Sequence, residues 1–177
     1  MLLTTLHLAL RPLEIGDAAH FARLLGNDHA ALKQMAQMPV PCTEQAAAEW
    51  IVTRLGPGAH IFGIVKRSDN DFVGVVGFGG DPAMPEMGYW IGKPYRGRGY
   101  ATEAIVAVVR HAATLGVPRI HADTFLDNPA SARVLAKAGF ATTGRVRRNF
   151  PARGGLRDLL RHECVPGEEA QAVSSSG

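Results

Sequence analysis

Arg96-Gly97-Arg98-Gly99-Tyr100-Ala101-Thr102 joins a strand-like run, Met87 to Ile91, to a helical run that begins near Tyr100. The segment reads as a cradle for phosphate. Its two glycines allow backbone with positive φ, so that successive N–H groups converge on an anion. The helix that follows adds unpaired N–H groups and the positive end of its dipole at the same point. Arg96 and Arg98 supply charge. Gly97 and Gly99 have no side chain and Ala101 only a methyl, so a pyrophosphate can lie against the backbone. Two other phosphate loops fail on spacing: a dinucleotide loop needs a third glycine where Thr102 stands, and no Gly-Lys-Ser/Thr follows. The competing readings are an ordinary strand-to-helix turn and an Arg/Gly segment for nucleic acid. The apolar patterns on both sides argue against a disordered tract.

The charge distribution agrees with an anion site. Residues 1–92 carry 6 Lys/Arg and 9 Asp/Glu, whereas residues 93–161 carry 13 and 4, a balance of plus 9. The positive block therefore starts with the loop, although the whole chain is only +3. This favours a polyanionic ligand over a solvated basic face. Nucleic acid is disfavoured, because the helices lack the spaced basic and aromatic residues of a recognition surface.

A chain of 177 residues, 46% hydrophobic and 20% charged, fits one domain, assigned to residues 1–166, with 167–177 as a flexible C-terminal tail. Met1 to Leu10 lacks the basic leader and cleavage site of a secretory signal. Charges interrupt every apolar stretch before membrane-spanning length. Cys42 and Cys164 alone suggest a reduced, cytoplasmic protein rather than a disulfide framework. No metal site is expected, since His162 and Cys164 alternate on a strand without a second ligand pair.

Hydrophobic periodicity and breakers give the order of elements. His7 to Leu10 reads as a strand, Asp17 as the N-cap of a helix to Leu25, Asp28 to Gln37 as a second helix, and Thr43 as the cap of a third, Glu44 to Leu55. Strands follow at His60–Lys66 and Phe72–Phe78 around a Ser-Asp-Asn-Asp turn, and then at Glu86–Gly92. A helix over Thr102–Leu115, a strand over Arg119–Phe125 and a helix from Asn128-Pro129 to Ala138 come next. Thr142–Asn149 and Leu156–Val165 form two last strands around Ala152-Arg-Gly-Gly155. The sum is a mixed α/β domain with a helical excursion near its start.

Three motifs in this order resemble the GNAT acetyltransferases, and in particular their ribosomal-protein N-acetyltransferase-like branch. They are Glu86-Met-Gly-Tyr-Trp-Ile91; Tyr95-Arg-Gly-Arg-Gly-Tyr-Ala-Thr-Glu-Ala104; and Asn128-Pro-Ala-Ser131 leading through Val134-Leu135 to Lys137-Ala-Gly-Phe140. Arg96, Gly99 and Ala101 match the family's pyrophosphate loop. The resemblance implies a central, mostly antiparallel, splayed mixed sheet flanked by helices. It also implies acetyl-CoA as co-substrate and direct acetyl transfer to an amine. The acceptor it suggests is a protein N-terminal α-amine, with a small-molecule amine or amino acid as the alternative. A non-catalytic acyl-CoA-binding module would carry the same motifs.

The resemblance also distributes roles. Trp90, Ile91 and Gly92 would offer free backbone N–H groups to the pantetheine arm, and Asn128 would bind the arm as well as cap its helix. Gly97, Arg98, Tyr100 and Thr102 would complete the pyrophosphate cradle with Arg96, Gly99 and Ala101. At least one of Tyr89 and Trp90 should be core, since strand neighbours face opposite sides. The acceptor arrives as an ammonium ion, and Glu86 is the candidate base that takes its proton; His7, His60, His111 and His121 are the alternatives. Where many family members place a tyrosine acid, this chain has Leu135, so Ser131 is the candidate donor to the leaving sulfur. Pairing of the late strands offers a route to a homodimer.

Overall fold

The structure is a computed structural model that describes residues 1–151 and 154–168. Most of the expected tail, from residue 169 onward, and the centre of the Ala152–Gly155 turn lie outside the described residues. Eight strands form one sheet: β1 Leu3–Thr4, β2 Leu8–Pro12, β3 His60–Lys66, β4 Phe72–Gly79, β5 Glu86–Ile91, β6 Ile120–Phe125, β7 Ala141–Phe150 and β8 Gly155–Cys164. Their order across it is β1-β2-β3-β4-β5-β6-β8-β7. Every pair is antiparallel except β5–β6. That parallel pair registers at a single position, Glu86 opposite His121, and beyond it the strands part.

Among the described residues, five α-helices cover the two faces: α1 Ala18–Leu25, α2 His29–Lys33, α3 Glu44–Arg54, α4 Tyr100–Thr114 and α5 Pro129–Lys137. In α4, Ile105, Val108, Val109 and Ala112 repeat at helical spacing and are fully buried against one face. Phe21 and Leu25 of α1 and Ile51 of α3 form a separate core on the other. Strand alternation divides β5 between them: Met87, Tyr89 and Ile91 join the α4 side, while Trp90 packs edge-on to Phe21 at 5.0 Å.

Side-chain caps fix three helix starts, each worth about 1 kcal/mol. Asp28 Oδ1 accepts from the Ala31 N–H, Thr43 Oγ1 from Ala46 and Asn128 Oδ1 from Ser131. Asp17 does not cap α1 with its side chain. It is buried at the end of a 3-10 turn, where its carboxylate takes the Glu14 N–H and both ends of the Arg11 guanidinium. The second helix stops at Lys33, well short of Gln37. After it the chain continues in turns closed by bonds to the third residue back, and Met38, beyond them, joins Leu32 of α2 in the core shared with α3.

His162 is fully enclosed on β8, between Thr124 Oγ1 at 2.9 Å and Thr142 Oγ1 at 3.0 Å. Burial lowers its pKa, against a weaker opposing pull from Asp123. Burial and the nearby His60 lower that of His111 on α4. Both rings therefore bind protons more readily in the unfolded chain. Stability is expected to fall as the pH drops through about 6.5, the ordinary histidine value, and to stop falling below the depressed native values. Urea midpoints measured across that range check this, and His162→Gln, which keeps a donor and an acceptor between the threonines, should flatten the dependence.

Candidate active site

The loop adopts the backbone its glycines permit. Gly97 and Gly99 have φ of 75° and 80°, and a Cβ at either would meet nothing within 4 Å. The left-handed conformation, rather than crowding, selects glycine there. Helix α4 starts immediately after, and its first intrahelical bond runs from the Glu103 N–H to the Gly99 carbonyl at 3.0 Å. The N–H groups of Tyr100, Ala101 and Thr102 thus have no intrahelical partner. Arg98 is exposed beside them.

Arg96 is not the mobile charge expected from sequence. Its Nε donates to the Ile91 carbonyl at 2.8 Å, and its Nη2 meets the Asp28 carboxylate at 2.7 Å. The side chain is a strut between the end of β5 and the start of α2. Burial opposes ionisation of Asp28, but the Ala31 N–H and the Arg96 guanidinium more than offset it and lower its pKa.

The gap between β5 and β6 exposes backbone on one side only. The Gly92 N–H already donates to the Val73 carbonyl at 2.8 Å. Alternation along the ladder turns the Trp90 backbone to β4 as well, and it turns Tyr89 and Ile91 to the gap. The expectation of free N–H groups on Trp90, Ile91 and Gly92 is therefore corrected: of the three, only Ile91 faces the opening. Trp90 itself is core, as strand alternation required of one neighbour.

Across the gap stands the N-terminus of α5. Asn128 spends its side-chain oxygen on the cap, which leaves its NH2 group as a donor. Ser131 Oγ lies 2.7 Å from the Tyr89 hydroxyl. Burial raises the Tyr89 pKa, with the Ser131 bond acting weakly against it, so the ring is a neutral phenol at physiological pH. Leu135 is buried in the core, one turn beyond Ser131.

Glu86 closes the other end of β5. Arg148, on β7, donates to its two carboxylate oxygens at 2.9 and 3.2 Å. Arg148 also approaches Asp123 at 3.3 Å, and Arg161 makes a two-point bond to the same carboxylate at 2.9 and 3.0 Å. Burial alone would raise the Asp123 carboxyl. His121, Arg161 and Arg148 outweigh it and hold Asp123 well below the usual carboxylate range. Sequence reasoning missed this network. Its one visible signal was the basic run Arg145-Val-Arg-Arg148 on a late strand.

Glu86, Gly88, Tyr89, Asn128, Ser131 and Arg148 line a cavity of about 540 Å³ that extends past Gln34, Met35, Trp50 and Arg54. His7, His60, His111 and His121 do not line it; His7 is held by Glu103 at 2.9 Å. The cavity thus reaches both Glu86 and Ser131, while the Arg96–Thr102 loop lies past the far end of β5. Such a site can bind an extended anionic ligand along β5 and a second molecule at its other end. Among the described residues, no helix is long and apolar enough to cross a membrane, and no three His, Cys, Asp or Glu side chains cluster in a metal-binding arrangement.

Comparison with known proteins agrees with this geometry. The family model for the acetyltransferase (GNAT) domain matches residues 7–141. The probable N-acetyltransferase YjcK of Bacillus subtilis is 30% identical over 159 residues, covering 84% of this chain and 88% of its own. The ribosomal-protein-serine acetyltransferase of Escherichia coli is 30% identical over 90 residues, 49% of each chain. Among solved structures, Mycobacterium smegmatis RimJ in complex with CoA-disulfide superposes with a TM-score of 0.74 at 28% identity, over 92% of this chain and 83% of that one. With its splayed sheet, its glycine loop at the start of α4 and a family match across most of its length, the chain belongs to the GNAT acetyltransferases, which transfer an acetyl group from acetyl-CoA.

Proposed function

We propose that the protein acetylates the N-terminal α-amine of a peptide or protein. The observation that carries this reading is the reach of the cavity, which runs in about 540 Å³ from Glu86 and Ser131 past Gln34, Met35, Trp50 and Arg54. A peptide continues beyond its N-terminal residue into that length, whereas a simple aliphatic amine would leave most of it unfilled. The similarity to a ribosomal-protein-serine acetyltransferase supports the same class. An amino acid, whose carboxylate would face the Arg54 guanidinium, is the second reading.

In this scheme the pyrophosphate of acetyl-CoA is held by the N–H groups of residues 97–102, with the exposed Arg98 nearby. The pantetheine arm lies along the Tyr89 and Ile91 backbone, opposite Asn128. Glu86 takes the proton of the incoming ammonium ion, and Arg148 orients its carboxylate. Ser131 donates to the departing sulfur.

Three outcomes are expected. Acetyl-dependent thiol release should be seen with peptides bearing a free N-terminus and abolished when that terminus is blocked; turnover of amino acids or small amines alone would decide for the second reading. Gly99→Val forces a β-branched residue to a φ near 80°, a strain of about 1–2 kcal/mol, and obstructs approach to the backbone. Calorimetry should show CoA affinity at least tenfold weaker, and unchanged affinity in the folded variant would remove the loop from the site. Glu86→Gln should lower kcat by about a hundredfold, within the usual range for a lost general base, with CoA affinity retained. A wild-type rate would leave Glu86 a structural partner of Arg148.

A further inference from the structure

The family's tyrosine acid is absent from α5, yet a tyrosine hydroxyl stands at the same serine. Tyr89 reaches Ser131 from the opposite wall of the gap, at 2.7 Å, from an element 42 residues away in sequence. Each residue is held independently. Tyr89 is fixed by β5, whose neighbours Met87 and Ile91 are anchored in the α4 core. Ser131 is fixed by the Asn128 cap, to which its own N–H donates. Both line the cavity in which the reaction takes place. Among the described residues, the Tyr89 hydroxyl makes no hydrogen bond that competes with Ser131.

We propose that Tyr89 and Ser131 form a two-hydroxyl relay, in which the phenol donates to Ser131 Oγ and so directs the serine proton to the leaving sulfur. This rests on the reading of Ser131 as the donor to that sulfur. In the step, the amine nitrogen bonds to the thioester carbon as the carbon–sulfur bond breaks and its electron pair leaves on sulfur. Sulfur takes the Ser131 proton, and Ser131 Oγ takes the Tyr89 proton. The tyrosinate is refilled from water, while the proton lost by the amine leaves through the base. Burial explains why the relay starts charged with its proton: the phenol does not ionise near neutral pH. The pairing also leaves position 135 free for a leucine that is buried in the core. The acid has moved from the second turn of α5 to the facing strand.

The test compares Tyr89→Phe, Ser131→Ala and the double variant. Tyr89→Phe keeps the ring and its packing, so CoA affinity by calorimetry and thermal stability should stay near wild type. Its kcat should fall tenfold or more, and the double variant should be no slower than the slower single one, as for groups acting in series. A Tyr89→Phe enzyme with wild-type kcat and pH profile overturns the relay. So do losses that multiply in the double variant. If instead Ser131→Ala turns over normally, the reading of Ser131 itself fails. A readout independent of turnover is ultraviolet titration of the tyrosines in the CoA-bound protein. Tyr89→Phe should remove the step at highest pH, and Ser131→Ala, by deleting a donor to the phenolate, should move that step higher still. A step that Ser131→Ala leaves in place would disprove the direct pairing.

Discussion

The parting of β5 from β6 after one bridge is the constraint on which the site depends. A buried strand whose backbone groups lack partners is costly, so neighbouring strands in a sheet interior normally zip closed. Here closure is prevented by where each strand is already committed. β5 is paired along its whole length to β4, and β6 to β8 over six positions. On one face Trp90 is fixed among Phe21 and Phe72. Gly92, at the open end, passes so close to Leu24 that a Cβ there would meet its side chain at 3.0 Å. On the other face, the Tyr89–Ser131 bond links β5 to the capped N-terminus of α5 across the gap. The unpaired edge of β5 is the one that the proposed function gives to the amide groups of the pantetheine arm.

The Arg96 strut extends this rigidity to the loop. A guanidinium bonded to Ile91 and Asp28 ties the end of β5 to the N-terminus of α2, the segment from which Gln34 and Met35 reach the cavity. The loop and the cavity are therefore tied through one side chain. If phosphate charge is met by backbone N–H groups and Arg98, as proposed, the cradle is assembled before any ligand arrives, and binding need not order it.

Much of the cofactor side was legible in the sequence because its causes are local. Positive φ at Gly97 and Gly99, the Asn128-Pro129 helix start and the apolar repeat of α4 each follow from residues within one or two turns of each other. What the sequence did not yield depends on contacts between distant elements. Trp90 and Tyr89 are adjacent and both aromatic, and nothing local says which one faces the core. Arg96 reads as a free cation until Asp28 is folded against it. Asp17 has the residue type of a cap, yet Arg11 claims its carboxylate. The second helix looked longer because Ala30 to Gln37 suits a helix by propensity, but burial of Leu32 and Met38 requires the chain to turn. Glu86 looked isolated because its partner lies on a strand 62 residues later.

That last pairing bears on how an amine is activated. Glu86 does not hold the Arg148 guanidinium alone: Asp123 lies within 3.3 Å of it and is itself held by Arg161. Two carboxylates and two guanidiniums balance one another, so the cluster is close to neutral before an acceptor binds. In the proposed reaction an entering ammonium ion makes it positive, and passing that proton through Glu86 to water restores the balance. The charge of the whole cluster then favours loss of the proton, and the neutral amine is the form that attacks.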